Sequence, residues 1–143
     1  MDNAVHIYKS KKGFVIYIPL IILLAIEIVY IATGQYIPGL LCLAITGVIF
    51  FPIFFNTYYA IANNNGTLKV KSGLIINTSI EIETIKKIKK TRTIMSSPAL
   101  SLDRIEIFYN KFDSVIVSPE NKAEFVAELK SINPAIEYFD QPE

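Results

Sequence analysis

The chain has 143 residues, 52% of them hydrophobic, with one histidine, one cysteine and no tryptophan. This composition argues against a histidine-built metal centre or a Ser-His-Asp triad, excludes a disulfide within the chain, and leaves room for one small folded unit beside any long apolar segment. The net charge of +1 hides a polarity: residues 62–95 hold seven Lys/Arg against two acids, and residues 96–143 hold four against nine.

Residues 1–13 read as a flexible cytoplasmic N-terminal segment in which Lys9, Lys11 and Lys12 oppose only Asp2. From Phe14 to Ala62 the chain is almost wholly apolar, broken by the uncharged turn Gly34-Gln35-Tyr36-Ile37-Pro38. We read residues 14–61 as a transmembrane helical hairpin with spans at about 14–33 and 39–60. Each run is about 20 residues, enough at about 1.5 Å per residue to cross a ~30 Å hydrocarbon core. Pro19 and Pro52 would be kinks that a bilayer tolerates, and Tyr36, Tyr58 and Tyr59 would form an interfacial aromatic belt. The first run is too long and lacks the small-residue cleavage site of a signal peptide. Lysines before the first span, Lys69 and Lys71 after the second and an uncharged turn between put both termini in the cytoplasm of a bacterial inner membrane.

Glu27 is an ionisable group well inside the first span, and such groups are costly in hydrocarbon. In an antiparallel hairpin, Thr46 lies at the same depth. The pair reads either as a polar site for a partner or a proton, or as a neutral buried carboxyl hydrogen-bonded to Thr46. The absence of any basic residue in either span favours the second reading.

After the turn cluster Asn63-Asn64-Asn65-Gly66, the pattern changes to period two. Thr67–Lys71 and Leu74–Ile80 read as a hairpin around Ser72-Gly73. Ile80–Glu83 is extended, and Ile85–Thr93 is a further strand, with a short basic helix as the alternative. Ser96-Ser97-Pro98 is a loop, Arg104–Tyr109 and Ser114–Val117 are strands, and Asn110–Asp113 is the turn between them. Ser118-Pro119-Glu120-Asn121-Lys122 opens a helix with Phe125, Val126 and Leu129 on one face, stopped by Asn133-Pro134. The fold class is thus α+β, mainly β: six or seven strands closed by one C-terminal helix over residues 62–137, and a frayed acidic tail over residues 138–143.

Several motifs carry a resemblance. The apolar hairpin, Pro98-Ala99-Leu100-Ser101-Leu102-Asp103-Arg104-Ile105-Glu106-Ile107, Val115-Ile116-Val117-Ser118-Pro119, and Phe125…Leu129…Asn133-Pro134 resemble the bacterial PH-like domain family typified by YyaB-like membrane proteins. The resemblance covers about residues 57–137. It implies a PH-like antiparallel barrel or sandwich with one C-terminal helix across an open end, and it implies no catalytic residues or cofactors.

The residues themselves suggest no enzyme. There is no Gly-rich phosphate loop, and Asp103-Arg104-Ile105-Glu106 reads as surface ion pairing. The basic run Lys86, Lys87, Lys89, Lys90 and Arg92 is the candidate contact for anionic lipid headgroups beside the inner leaflet. Its alternative is the solvated face of an edge strand, where lysines discourage aggregation. Nucleic acid is not expected, because no aromatics interleave with the cations and the following half is acidic. A protein partner would meet the acidic helix face Glu120, Glu124 and Glu128. The expected function is a membrane-anchored, non-enzymatic module binding anionic lipid or a protein. The alternative is a small subunit of a membrane complex, or a homo-oligomer, assembled through the hairpin.

Overall fold

A computed structural model describes residues 5–74, 76–91 and 100–140. In chain order the elements are β1 (Val5–Lys9), a 3-10 turn (Phe14–Ile16), α1 (Tyr17–Ala32), α2 (Tyr36–Phe55), β2 (Tyr58–Ala62), β3 (Thr67–Ser72) and β4 (Ile76–Glu81). A second 3-10 turn (Ile82–Thr84), β5 (Ile85–Thr91), β6 (Arg104–Tyr109), β7 (Asp113–Val117), α3 (Lys122–Ile132) and β8 (Glu137–Phe139) follow. Two four-stranded sheets form, in the orders β1-β2-β3-β4 and β7-β6-β5-β8. All pairings are antiparallel except β5 with β8.

Alternation builds the core. Tyr59 lies opposite Val70, Ile61 opposite Leu68, and Leu68 opposite Ile80, so one face of the first sheet is continuously apolar. Ile88, Ile105, Ile107 and Val117 supply the facing surface. Helix α3 buries Phe125, Val126 and Leu129 between the sheets. Phe125 packs edge-on against Tyr8 and Tyr59, with ring centroids 5.2 and 6.1 Å away. Such pairs contribute about 0.5–1.5 kcal/mol beyond area burial. Asn133 ends the helix and ties it down: its side-chain amide donates to the carbonyls of Ile82 at 3.0 Å and Ile85 at 3.1 Å, and its oxygen accepts from the N–H of Ala135.

The structure corrects the sequence reading in several places. Residues 5–9 are a sheet strand, not a flexible segment. Helices α1 and α2 are therefore an insertion between β1 and β2, which pair with Lys9 opposite Tyr58. Helix α2 stops at Phe55 rather than near residue 60, and Tyr59 is fully buried in the core instead of lying in an aromatic belt. Tyr36 to Pro38, read as turn, form the first turn of α2; Pro19 occupies the third position of α1, where a missing N–H costs nothing. Pro52 does sit inside α2. Residues 137–139 extend the second sheet as β8, so the segment from Glu137 is not wholly a tail. Arg92 and the loop Ser96-Ser97-Pro98 lie outside the described residues.

Candidate functional site

The basic run expected to meet lipid is β5. It lies between β6 and β8 and is not an edge strand, so the edge-protection reading fails. Ile85 and Ile88 face the core, and a register shift between Ile85 and Lys87 marks a bulge at Lys86. Lys86 and Lys87 are exposed, with the Lys87 ammonium 4.5 Å from the Phe108 ring centroid. Lys89 is half-buried opposite Glu106, and Lys90 pairs with Asp140 at 3.3 Å. The strand also spreads these cations along its length. Thr91 lies opposite Arg104, near the hairpin base, whereas Ile85 lies opposite Tyr109 at the far end. Lys87 is thus up to about 13 Å farther along the strand than Thr91, more than a Debye length at physiological salt.

Glu27 and Thr46 do meet. Both are buried between α1 and α2, and the Thr46 hydroxyl donates to Glu27 Oε1 at 2.8 Å. Among the described residues Glu27 Oε2 has no hydrogen-bond partner. Gly39 is buried against Ile31 and Tyr30, where an added side-chain carbon would lie 3.2 Å from Ile31 Cγ1, a tight contact that favours a small residue. Tyr17 packs on Phe54 at the opposite end, 5.6 Å between ring centroids. Most other apolar side chains of the two helices face outward. Helix α2 is long and apolar enough to cross a membrane, and α1 is a shorter apolar helix.

A cleft lies where this hairpin joins the sheets. After β1 the chain crosses from one sheet to the other: the N–H of Lys11 donates to the Ser118 carbonyl at 2.7 Å, and that of Glu120 to the Lys9 carbonyl at 3.1 Å. Gly13 then donates to the Leu100 carbonyl at 2.9 Å, and a side chain at Gly13 would collide with Ser101. A buried hydroxyl cluster pins the crossing. Tyr59 donates to Ser10 Oγ at 3.0 Å and accepts from the Ser118 N–H at 3.1 Å; the Ser10 and Ser118 hydroxyls are 3.1 Å apart. Burial pushes the Tyr59 phenol above its ordinary pKa, although these hydrogen bonds oppose the rise. On the other side of the crossing Thr57 donates to the Ile53 carbonyl at 2.7 Å, and Gly73 lies against Ile53.

Around this crossing opens a cleft of about 650 Å³ lined by Ile7, Lys9, Ser10, Lys11, Lys12, Phe54, Phe55, Thr57, Tyr58 and Glu120. The Lys12 ammonium lies 5.7 Å from the Phe54 ring and 5.5 Å from the Phe55 ring. Lys11 pairs with Asp103 at 3.0 Å, and Lys122 pairs with the other oxygen of the same carboxylate. Hydrogen bonding from Lys122, and then from Lys11, holds the Asp103 carboxyl below its ordinary value against partial burial. Asp103 is therefore not paired with its neighbour Arg104, whose guanidinium is buried and donates to the Ser101 carbonyl. In the sequence these lysines bear only on membrane orientation. Their relation to Phe54 and Phe55 is set by the return of the hairpin, more than forty residues later.

The acidic helix face is only partly free. Glu128 is turned toward β1, accepting from Tyr8, lying 2.8 Å from His6 Nδ1 and receiving Asn63 at 3.3 Å. Burial and this carboxylate raise the Tyr8 phenol far above its ordinary pKa. Glu124 remains exposed on α3, whereas Glu120 is not part of the helix face: it precedes α3, which begins at Lys122, and lines the cleft at the hairpin base. Among the described residues no three His, Cys, Asp or Glu side chains gather as a metal site would require.

Comparison with solved structures finds a C-terminal domain of an unknown protein from Leishmania infantum, 22% identical, covering 53% of this chain and 66% of that one, with a TM-score of 0.40. It also finds the Spt16D Pob3N heterodimer, 9% identical, covering 61% and 46%, with a TM-score of 0.43. The chain thus spans less than two thirds of either. No curated protein matches it. The profile of the bacterial PH domain matches residues 57–133, which takes in β2 through α3 and leaves out β1, the helical pair and β8. With more than half its length matched and the two-sheet, one-helix arrangement in place, the chain belongs to the bacterial PH domain family.

Proposed function

We propose that this chain is a non-enzymatic binding module anchored in the bacterial inner membrane by α1 and α2, with its PH-like domain held against the cytoplasmic surface. One observation carries the reading: two outward-facing apolar helices leave from β1 and return into β2, at one end of the domain. The 3-10 turn and α1 together rise about 30 Å, and α2 rises about 30 Å, the thickness of the hydrocarbon core. The lysines at the base favour a cytoplasmic domain and an external turn at Gly34-Gln35. Held there, the domain gains effective concentration for anionic headgroups or for a protein at the surface. Alkaline extraction of cell membranes tests the anchor: the chain stays in the membrane pellet, and its release into the supernatant would refute insertion.

A second reading has its own support. Ala44 and Gly47 lie exposed on α2. Small residues on an outward face let a further helix approach closely, making the hairpin an interface in a larger complex. Crosslinking in native membranes would then capture a second chain; only monomer would count against it.

A further inference from the structure

We propose that the cleft at the hairpin base is a binding site for the phosphate headgroup of an anionic phospholipid, a role different from that of the β5 lysines. The proposal rests on insertion of the hairpin, which sets the cleft at headgroup depth: Phe54 and Phe55 close α2, and Thr57 and Tyr58 open the sheet just beyond them.

The lining is chemically two-sided. Lys9, Lys11 and Lys12 offer ammonium donors; Ser10 and Thr57 also line the cleft, but their hydroxyls are engaged within the fold. Ile7, Phe54 and Phe55 make an apolar wall continuous with the outer surface of the hairpin. A free phosphate gains nothing from that wall, whereas a lipid places its phosphate on the lysines and its glycerol and upper acyl carbons along the aromatics. The cations are available. Among the described residues neither Lys9 nor Lys12 pairs with a carboxylate, and only Lys11 is shared, with Asp103. Lys12 instead rests over two aromatic rings, which holds its ammonium at the boundary between apolar wall and open cleft. Glu120 is the one acid in the lining. The volume falls within the range of small-ligand pockets. The β5 lysines are placed differently: Lys90 is paired with Asp140, and Lys86 and Lys87, the latter over the Phe108 ring, stand exposed at the end of the strand remote from the hairpin.

Two unpaired lysines at the strength expected beside an anionic leaflet predict a roughly thirtyfold preference for anionic over zwitterionic lipid. The test uses the full chain, purified in mild detergent and titrated with phosphatidylglycerol or phosphatidylcholine, with bound lipid counted by native mass spectrometry. Wild type is expected to retain phosphatidylglycerol selectively, and the exposed pair Lys9→Gln/Lys12→Gln to lose that selectivity. Lys9→Arg/Lys12→Arg keeps it, and Lys86→Gln/Lys87→Gln leaves it unchanged. Inorganic phosphate in excess should not displace the lipid. The proposal is overturned by selectivity that survives Lys9→Gln/Lys12→Gln, by selectivity that follows Lys86 and Lys87 instead, or by displacement with phosphate alone. Alkaline extraction of the same variants separates the two failures. A chain that stays in the membrane but shows no selectivity overturns only the cleft; a chain that is extracted overturns the anchor and the cleft together.

Discussion

Replacing Tyr59 with phenylalanine removes one oxygen atom from the centre of the fold and keeps the ring. The side chain is fully buried, and the ring contact with Phe125 survives the change. What disappears is a donor to Ser10 at 3.0 Å and an acceptor for the Ser118 N–H at 3.1 Å. Ser118 is itself fully buried and Ser10 nearly so, so water cannot replace the lost partner. Two net hydrogen bonds, one leaving a buried backbone N–H unsatisfied, put the loss at about 2–3 kcal/mol. At about 4–8 °C per kcal/mol for a domain of this size, the midpoint should fall by about 10–20 °C. The assay is thermal unfolding of the full chain in detergent, followed by tyrosine near-ultraviolet circular dichroism. A fall of no more than about 2–4 °C, typical of a surface substitution, would refute the placement of Tyr59 as the pin joining β1, β2 and the end of β7.

Asn133→Ala removes the side chain that satisfies the buried carbonyls of Ile82 and Ile85. It should cost about 1–3 kcal/mol in chemical denaturation, and an unchanged midpoint would show that Asn133 only stops the helix. Replacing residues 13–56 with a short flexible linker should yield a soluble domain with its β signature intact, because Lys9 and Tyr58 are already paired neighbours; a fragment starting at residue 62 lacks Tyr8, Tyr59 and Ile61 and should not fold. The phenols of Tyr8, Tyr59, Tyr109 and Tyr138 all have folded pKa values raised above 10.0. Their contribution is therefore complete below about pH 10 and is lost as pH rises through the folded values. Asp103 acts in the opposite direction: its folded value lies below 3.8, so its contribution is present above that value and is lost as pH falls through the folded one. Stability measured against pH should be flat between these limbs, and a fall starting near neutrality would contradict the assignment.

β3, β4 and β6 were legible because they alternate, β5 and β7 because β-branched residues recur in them although β5 has Ile85 and Ile88 three apart at a bulge, and the helical pair because two long apolar runs flank one uncharged turn. The three strands that escaped did so for distinct reasons. In β1 the alternation is inverted: Tyr8 turns inward to Phe125 and Glu128, while Val5 and Ile7 are exposed. Hydrophobicity alone therefore points the wrong way. In β2 the sequence Tyr-Tyr-Ala-Ile-Ala continues the apolar run of α2, and only Asn56-Thr57 marks the change from helix to strand. β8 has three exposed residues and pairs along one side only, so it carries no burial signal. The juxtaposition of Glu27 and Thr46 was readable because depth in an antiparallel hairpin follows from residue number. The lysine cleft was not, because its cationic wall precedes the hairpin and its aromatic wall ends it, and nothing local links the two. The lysines of β5 drew notice as the densest charge in the chain, yet strand geometry spreads them away from the hairpin.

In the proposed topology the helical pair spans a bilayer as an insertion in one domain, leaving β1 and the remaining strands on one side and the Gly34-Gln35 turn on the other. Single-cysteine labelling with a membrane-impermeant maleimide tests it most directly, using a Cys42→Ser background and either Gln35→Cys or Ser131→Cys, both at exposed positions. In intact cells with a permeable outer envelope, the account predicts labelling at position 35 and none at position 131 until the inner membrane is opened. Equal labelling of the two positions before lysis, or protection of both, would contradict it.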